Sequence, residues 1–183
     1  MKGARTTSRS VLEELTAPEK ADLLDRLLAA QPQLRAQAEA LAVERMASDD
    51  QAEIAEEVES ALRYLGIDEL SGRAGYRPGQ GYIHECEAAD EILDEALEPF
   101  LTDLDRRAQL GLIAAATRLA VGILVGLSRC REGGSESLLE YAPDFAAERA
   151  DEVVNRCRQH GIVLPVAELL HLAPGWAPML SRD

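Results

Sequence analysis

The chain has 183 residues, 46% hydrophobic and 28% charged, which is ordinary globular usage and excludes wholesale disorder. Its 33 acidic residues outnumber 19 basic ones for a net charge of −14, and only 4% of residues are aromatic. A body of that sign repels phosphate backbones and anionic lipid, and few rings are present to stack bases, so neither nucleic acid nor a membrane is expected as a partner.

Residues 1–9 carry Lys2, Arg5 and Arg9 and no acid, and read as a disordered tail. Residues 10–172 are expected to form a single all-α domain. Residues 173–183, with Pro174, Gly175 and Pro178, are expected to form an irregular C-terminal tail. A turn near 10–15 leads to Thr16-Ala17-Pro18-Glu19, a capping box with proline in the first turn, where its missing N–H costs nothing. Leu23, Leu24, Leu27 and Leu28 then mark a helix to about Ala30. Gln31-Pro32 interrupts it, and Leu34, Ala38, Leu41 and Ala42 mark a second helix to Ala47. So short a break predicts an antiparallel αα-hairpin.

Ser48-Asp49-Asp50-Gln51 reads as a second capping box, opening a helix with Ile54, Val58, Ala61, Leu62 and Leu65 that Gly66 closes. Another turn of helix is expected within 67–74. The glycine-rich stretch 75–81 predicts a loop. A long helix follows over 87–109, which Pro99 should kink or split. Gly111 separates it from the most apolar run of the chain, 112–127, interrupted only by Thr117 and Arg118. That run is short for a membrane span and reads as a buried core helix reaching 131. Gly133-Gly134 should stop it. A short helix near 135–141, a long one over 145–160 closed by Gly161, and a last one over 166–172 opened by Pro165 complete the prediction.

The fold expected is therefore all-α: antiparallel helix pairs forming a bundle or a short solenoid of the tetratricopeptide or HEAT kind. The pairs recur every 35–45 residues or so, the range of such repeats. Glu59-Ser60-Ala61-Leu62-Arg63-Tyr64 returns 77 residues on as Glu136-Ser137-Leu138-Leu139-Glu140-Tyr141, an offset that fits two helix pairs.

Cys86, Cys130 and Cys157 are an odd number without C-x-x-C spacing, so neither a disulfide framework nor a zinc knuckle is expected. No signal peptide is evident, and the expected location is the cytoplasm. Seventeen arginines against two lysines and one asparagine point to GC-rich coding and a bacterial origin.

Candidate sites are few. The segment 71–85 gathers Arg73, Tyr76, Arg77, Tyr82 and His84 among Gly72, Gly75, Gly79 and Gly81. Guanidinium groups recognise carboxylate or phosphate bidentately and exposed tyrosines supply contact area at low entropy cost, so these five are the candidate partner- or anion-binding residues. The competing reading has Tyr82 and Ile83 pinning the segment to the following helix. Residues 85–105 hold nine acids and no base, a solvated helix face by the first reading. With Glu168-Leu169-Leu170-His171 they supply only part of a carboxylate-bridged metal set, so no metal and no cofactor is expected. Nucleophile elbows, phosphate loops and dinucleotide fingerprints are absent from the sequence. Cys86 lies two residues from His84 at a helix start, but a thiol catalyst usually draws its partners from distant sequence. Gly122-x-x-x-Gly126 falls inside the core helix. Two glycines on one face there call for a helix backbone approaching closely, with a homodimer seam as the second reading.

Three stretches, 15–42 (LTAPEKADLLDRLLAAQPQLRAQAEALA), 81–108 (GYIHECEAADEILDEALEPFLTDLDRRA) and 111–131, resemble the helical region of bacterial SWIM zinc-finger-associated proteins and their relatives without the finger. The finger's C-x-C and C-x-H pairs are missing here, so its zinc and nucleic-acid roles do not carry over. The resemblance implies only an α-helical, scaffold-like module. The function expected is a non-enzymatic protein-protein interaction or scaffold module. The alternative is a metal- or small-molecule-binding helical enzyme using the acidic helix 85–105 with His84, His160 or His171.

Overall fold

The computed structural model describes residues 11–77, 79, 81–131 and 137–180; the predicted tail at 1–9 and the Gly133-Gly134 stop lie outside them. Packing divides the chain into two units, Met1–Arg45 and Met46–Asp183, where the sequence predicts one domain. The first unit is mostly helical over its described residues.

That unit contains α1 (Val11–Glu14), α2 (Ala17–Ala30) and most of α3 (Pro32–Ala47). The predicted capping box opens α2, with the Thr16 N–H donating to Glu19 Oε2 at 2.8 Å. The predicted αα-hairpin does not form. A single non-helical residue, Gln31 (φ −133°, ψ 83°), separates α2 from α3, and reversing the chain takes a loop of about two to five residues. The two helices are not among those that pack along one another, and no residue of α1, α2 or α3 is buried.

The second unit is a bundle built around one helix. Asp50, not Ser48, caps α4 (Gln51–Arg63), its carboxylate accepting from the Ala52 N–H at 3.0 Å. The helix ends at Tyr64, before Gly66, which instead leads a 3-10 turn (Ile67–Glu69) into α5 (Leu70–Arg73). Strands β1 (Gly75–Arg77) and β2 (Gly81–Ile83) form a two-stranded antiparallel hairpin. Helix α6 (Glu85–Gln109) runs unbroken past Pro99. Pro99 is exposed, so water can solvate the carbonyl that loses its donor. A Schellman turn ends α6: Gly111 N–H donates to the Ala108 carbonyl at 2.9 Å and Leu112 N–H to that of Arg107 at 2.9 Å.

The predicted core helix follows as α7 (Ile113–Arg131), in which every residue from Leu119 to Ser128 is buried. It has the length and composition to cross a membrane, but 72% of its apolar window lies inside the fold. It packs against α4, α6, α8 (Phe145–Gln159) and α9 (Val166–Leu172). A solenoid unit touches only its neighbours, whereas α7 is enclosed from several sides, so the architecture is a bundle. The hexapeptide match carries no repeat. Ser60–Arg63 lie on α4, whereas Ser137–Tyr141 surround a one-turn 3-10 helix (Leu138–Glu140), and Glu136 lies outside the described residues.

The glycine pair of α7 is a close-approach site. A Cβ on Gly122 would stand 2.5 Å from Ile54 Cγ2, and one on Gly126 would stand 2.8 Å from both the Ala55 carbonyl oxygen and Val58 Cβ. The buried stripe of α4, Ile54, Ala55, Val58 and Leu62, therefore lies directly on the glycine face.

The predicted irregular tail is folded through residue 180. Pro174–Trp176 form a 3-10 turn and α10 covers Ala177–Leu180. Trp176 is buried, donates its indole N–H to the Leu124 carbonyl at 2.8 Å, and lies under the Arg131 guanidinium at 4.8 Å. One aromatic side chain with a polar handle holds this end of the chain onto α7.

Candidate functional site

The segment 71–85 has structure of its own, contrary to the loop the sequence predicts. Alternation along the hairpin decides what faces water. Gly75 pairs with Ile83, Tyr76 with Tyr82, and Arg77 with Gly81. Ile83 is buried in the core cluster, so its face of the hairpin is turned inward. Tyr76 and Tyr82 stand directly opposite each other on the other face, 79% and 64% exposed. Gly75 (φ 105°) and Gly81 (φ 88°) sit in backbone conformations that side chains rarely adopt, which explains why glycines frame the tyrosines. His84, the N-cap of α6, sets its ring edge-on to Tyr82 at 5.1 Å with an interplanar angle of 79°. Two phenols and an imidazole thus share one exposed patch.

Arg73 has a different role from the one its type suggests. Its Nη1 and Nη2 donate to Glu95 Oε1 and Oε2, both at 2.6 Å, a bidentate clasp between α5 and α6. The hydrogen bond from Arg73 holds the Glu95 carboxyl below its ordinary range. The guanidinium fork is occupied, so Arg73 positions the hairpin's approach and is not a free anion receptor. The backbone of Arg77 closes the β1 ladder opposite Gly81. The patch stands beside the acidic start of α6, where Glu85, Glu87 and Glu91 are exposed.

The acidic helix does not assemble a metal set. Among the described residues no three His, Cys, Asp or Glu side chains converge to hold an ion. Two of its carboxylates are partnered by arginines of α8: Arg149 Nη2 donates to Asp94 at 2.8 Å, and Arg156 Nη1 donates to Asp105 at 2.5 Å. His160 Nε2 meets Asp105 Oδ1 at 2.9 Å. Asp105, Arg156 and His160 line a polar groove of about 580 Å³ between α6 and α8, with Glu148, Asp151 and Asn155. Burial raises the Glu152 carboxyl there, but hydrogen bonds from Arg156 and Arg149 outweigh it and hold the group below its ordinary range. His84 and His171 are exposed, on different elements.

The cysteines separate cleanly. Cys86 is exposed, while burial pushes the Cys130 thiol up to about 11 and the Cys157 thiol up to about 12. Iodoacetamide reacts with thiolate, so the folded chain is expected to take up one equivalent, at Cys86, and three only in denaturant. Mass mapping of the labelled peptides checks this, and uptake at Cys157 in the native protein would contradict the burial described.

No protein-family model matches the chain, and searches of curated proteins and of solved structures find no significant likeness.

Proposed function

We propose that the chain is a non-enzymatic interaction module, bacterial and cytoplasmic, that presents the β1–β2 hairpin to another protein. The observation that carries the reading is the Tyr76–Tyr82 pair: two large rings held outward, opposite one another, by a backbone whose other face is locked into the core. Rigid amphipathic rings of this kind give contact area without a large ordering cost, as they do at binding hot spots. The similarity of 15–42, 81–108 and 111–131 to the helical region of SWIM-associated proteins is in keeping with a scaffold role.

The occupant we assign is a protein surface bearing arginine or lysine. Residues 46–183 carry the whole net charge of the chain, and the acidic first turns of α6 flank the tyrosines. A cation can stack on either phenol while pairing with Glu85 or Glu87. The Tyr76→Ala/Tyr82→Ala variant tests this. It is expected to keep the wild-type melting temperature, since both rings are exposed, and to lose a stoichiometric partner that the wild type retains in affinity capture. Binding should also weaken as salt rises. Equal capture by variant and wild type would overturn the assignment.

A further inference from the structure

We infer that the cavity between α8, α9 and α10 binds a small apolar monocarboxylate, a single ring or short branched chain bearing one carboxylate. The cavity measures about 170 Å³. Val154 and Cys157 of α8 and Ile162 just beyond it line the floor, and all three are buried. Leu180 of α10 lines it as well, while Val163 and Val166, 85% and 40% exposed, stand at its mouth. An apolar depression with its floor in the core and its rim in water is open to a ligand without unfolding. No residue of the hairpin lines it, so this site is independent of the surface assigned above.

Two turns hold the wall in place. Past α8, Gly161 (φ 67°) makes a Schellman turn: its N–H donates to the Arg158 carbonyl at 3.1 Å, and the Ile162 N–H donates to that of Cys157 at 2.8 Å. Pro165 (φ −78°, ψ 79°) then centres an inverse γ-turn, in which the Val166 N–H donates to the Leu164 carbonyl at 2.9 Å. Proline also fixes its own φ. Residues 162–166 are therefore set before any ligand arrives, and binding costs little ordering entropy.

Volume and charge give the class of ligand. An apolar cavity of about 150 Å³ stays dry and admits benzene, so this one suits a single ring or about six carbons. Arg158 is exposed and is the one charged side chain among the described residues that line the cavity. A guanidinium beside an apolar hole selects a carboxylate and rejects an ammonium. The chain's net charge of −14 disfavours ligands with several negative groups, such as nucleotides. Arg158 Nη1 donates to Asn155 Oδ1 at 3.4 Å, a longer contact than the paired bonds a carboxylate accepts. Burial pushes the Cys157 thiol up to about 12, so the floor stays neutral.

The test is a titration of the full chain, labelled at its Ile, Leu and Val methyls, with sodium benzoate followed by NMR. The methyl signals of Val154, Ile162, Leu164, Val166 and Leu180 are expected to shift and saturate together. A dissociation constant on the order of 1 mM is expected for so small a ligand. Arg158→Gln is expected to raise it on the order of 10-fold while leaving the affinity for neutral benzyl alcohol unchanged. Val166→Phe narrows the mouth and should weaken both probes. Both substituted side chains are exposed, so unchanged methyl signals elsewhere should report an intact fold. Shifts that never saturate, or that spread over residues outside the cavity, would refute the site. Benzoate bound equally by wild type and Arg158→Gln would refute the carboxylate assignment.

Discussion

Gly126→Ala is expected to destabilise the protein by about 2 kcal/mol and to lower its melting temperature by about 4–8 °C. The substitution should otherwise help, since alanine is about 1 kcal/mol better than glycine inside a helix. Geometry reverses the sign. The new methyl would meet the Ala55 carbonyl oxygen and Val58 Cβ at 2.8 Å. One of these is backbone and the other a β-branched carbon, so neither can swing aside, and α4 must lift off α7. Gly72→Ala on α5 is the control, because a Cβ there meets nothing within 4 Å. That variant should hold or raise the melting temperature. Thermal unfolding followed by circular dichroism checks both, and light scattering should find the Gly126→Ala mass unchanged. A stable Gly126→Ala protein of altered mass would instead make the glycine face a seam between copies.

Trp176→Ala should cost more, about 3–5 kcal/mol, the range for deleting a buried large aromatic side chain. Three losses combine: the ring volume against α7, the N–H bond to the Leu124 carbonyl, and the stacking of Arg131. Trp176→Phe keeps most of the ring and gives up the N–H, so about 1 kcal/mol of the loss should remain. Truncation after Leu172 removes Ala173, Trp176 and Met179 together, all buried, and should be at least as damaging as Trp176→Ala. Chemical denaturation of the three variants gives the order. If truncation proved harmless, residues 173–180 would be a tail after all.

Which features could be read from sequence follows from how much of each signal is local. The helices over 17–30, 32–47, 113–131, 145–159 and 166–172 were legible because cap, period and stop coincide within one stretch of chain. The glycine pair was legible because two glycines in one apolar helix have few uses other than close packing. The hairpin was not. Its strands are three residues each, too short for alternation to show, and glycines that serve as strand ends look the same as glycines in a loop. Tyr76, Tyr82 and His84 do come together, whereas Arg73 turns to Glu95, a partner 22 residues away that no local pattern names.

Two further misses share a cause. The turn at Gln31 reads as a reversal only if its length is ignored, and a one-residue break cannot bring α3 back along α2. Trp176 sits among Pro174, Gly175 and Pro178, whose local message is irregularity, yet its indole finds a carbonyl 52 residues earlier. Arg107 shows the same limit inside a helix. It falls on the buried stripe of α6, where its guanidinium is satisfied by Asp103 at 2.7 Å, Asp49 at 2.6 Å and the Met46 carbonyl at 3.1 Å. Such a network is assembled by the fold and leaves no periodic trace.

The hairpin's role as the working surface is tested most directly by a photo-crosslink from it. A benzophenone side chain placed at Tyr76 of the full chain keeps an aromatic ring on the exposed face, and the same group at Asn155 on α8 samples a surface with no assigned role. One discrete product in its native cells, formed from position 76 and not from 155, mapping to a basic segment of another protein, is the result expected. Products absent at position 76, or identical at both positions, would contradict the hairpin as the working surface.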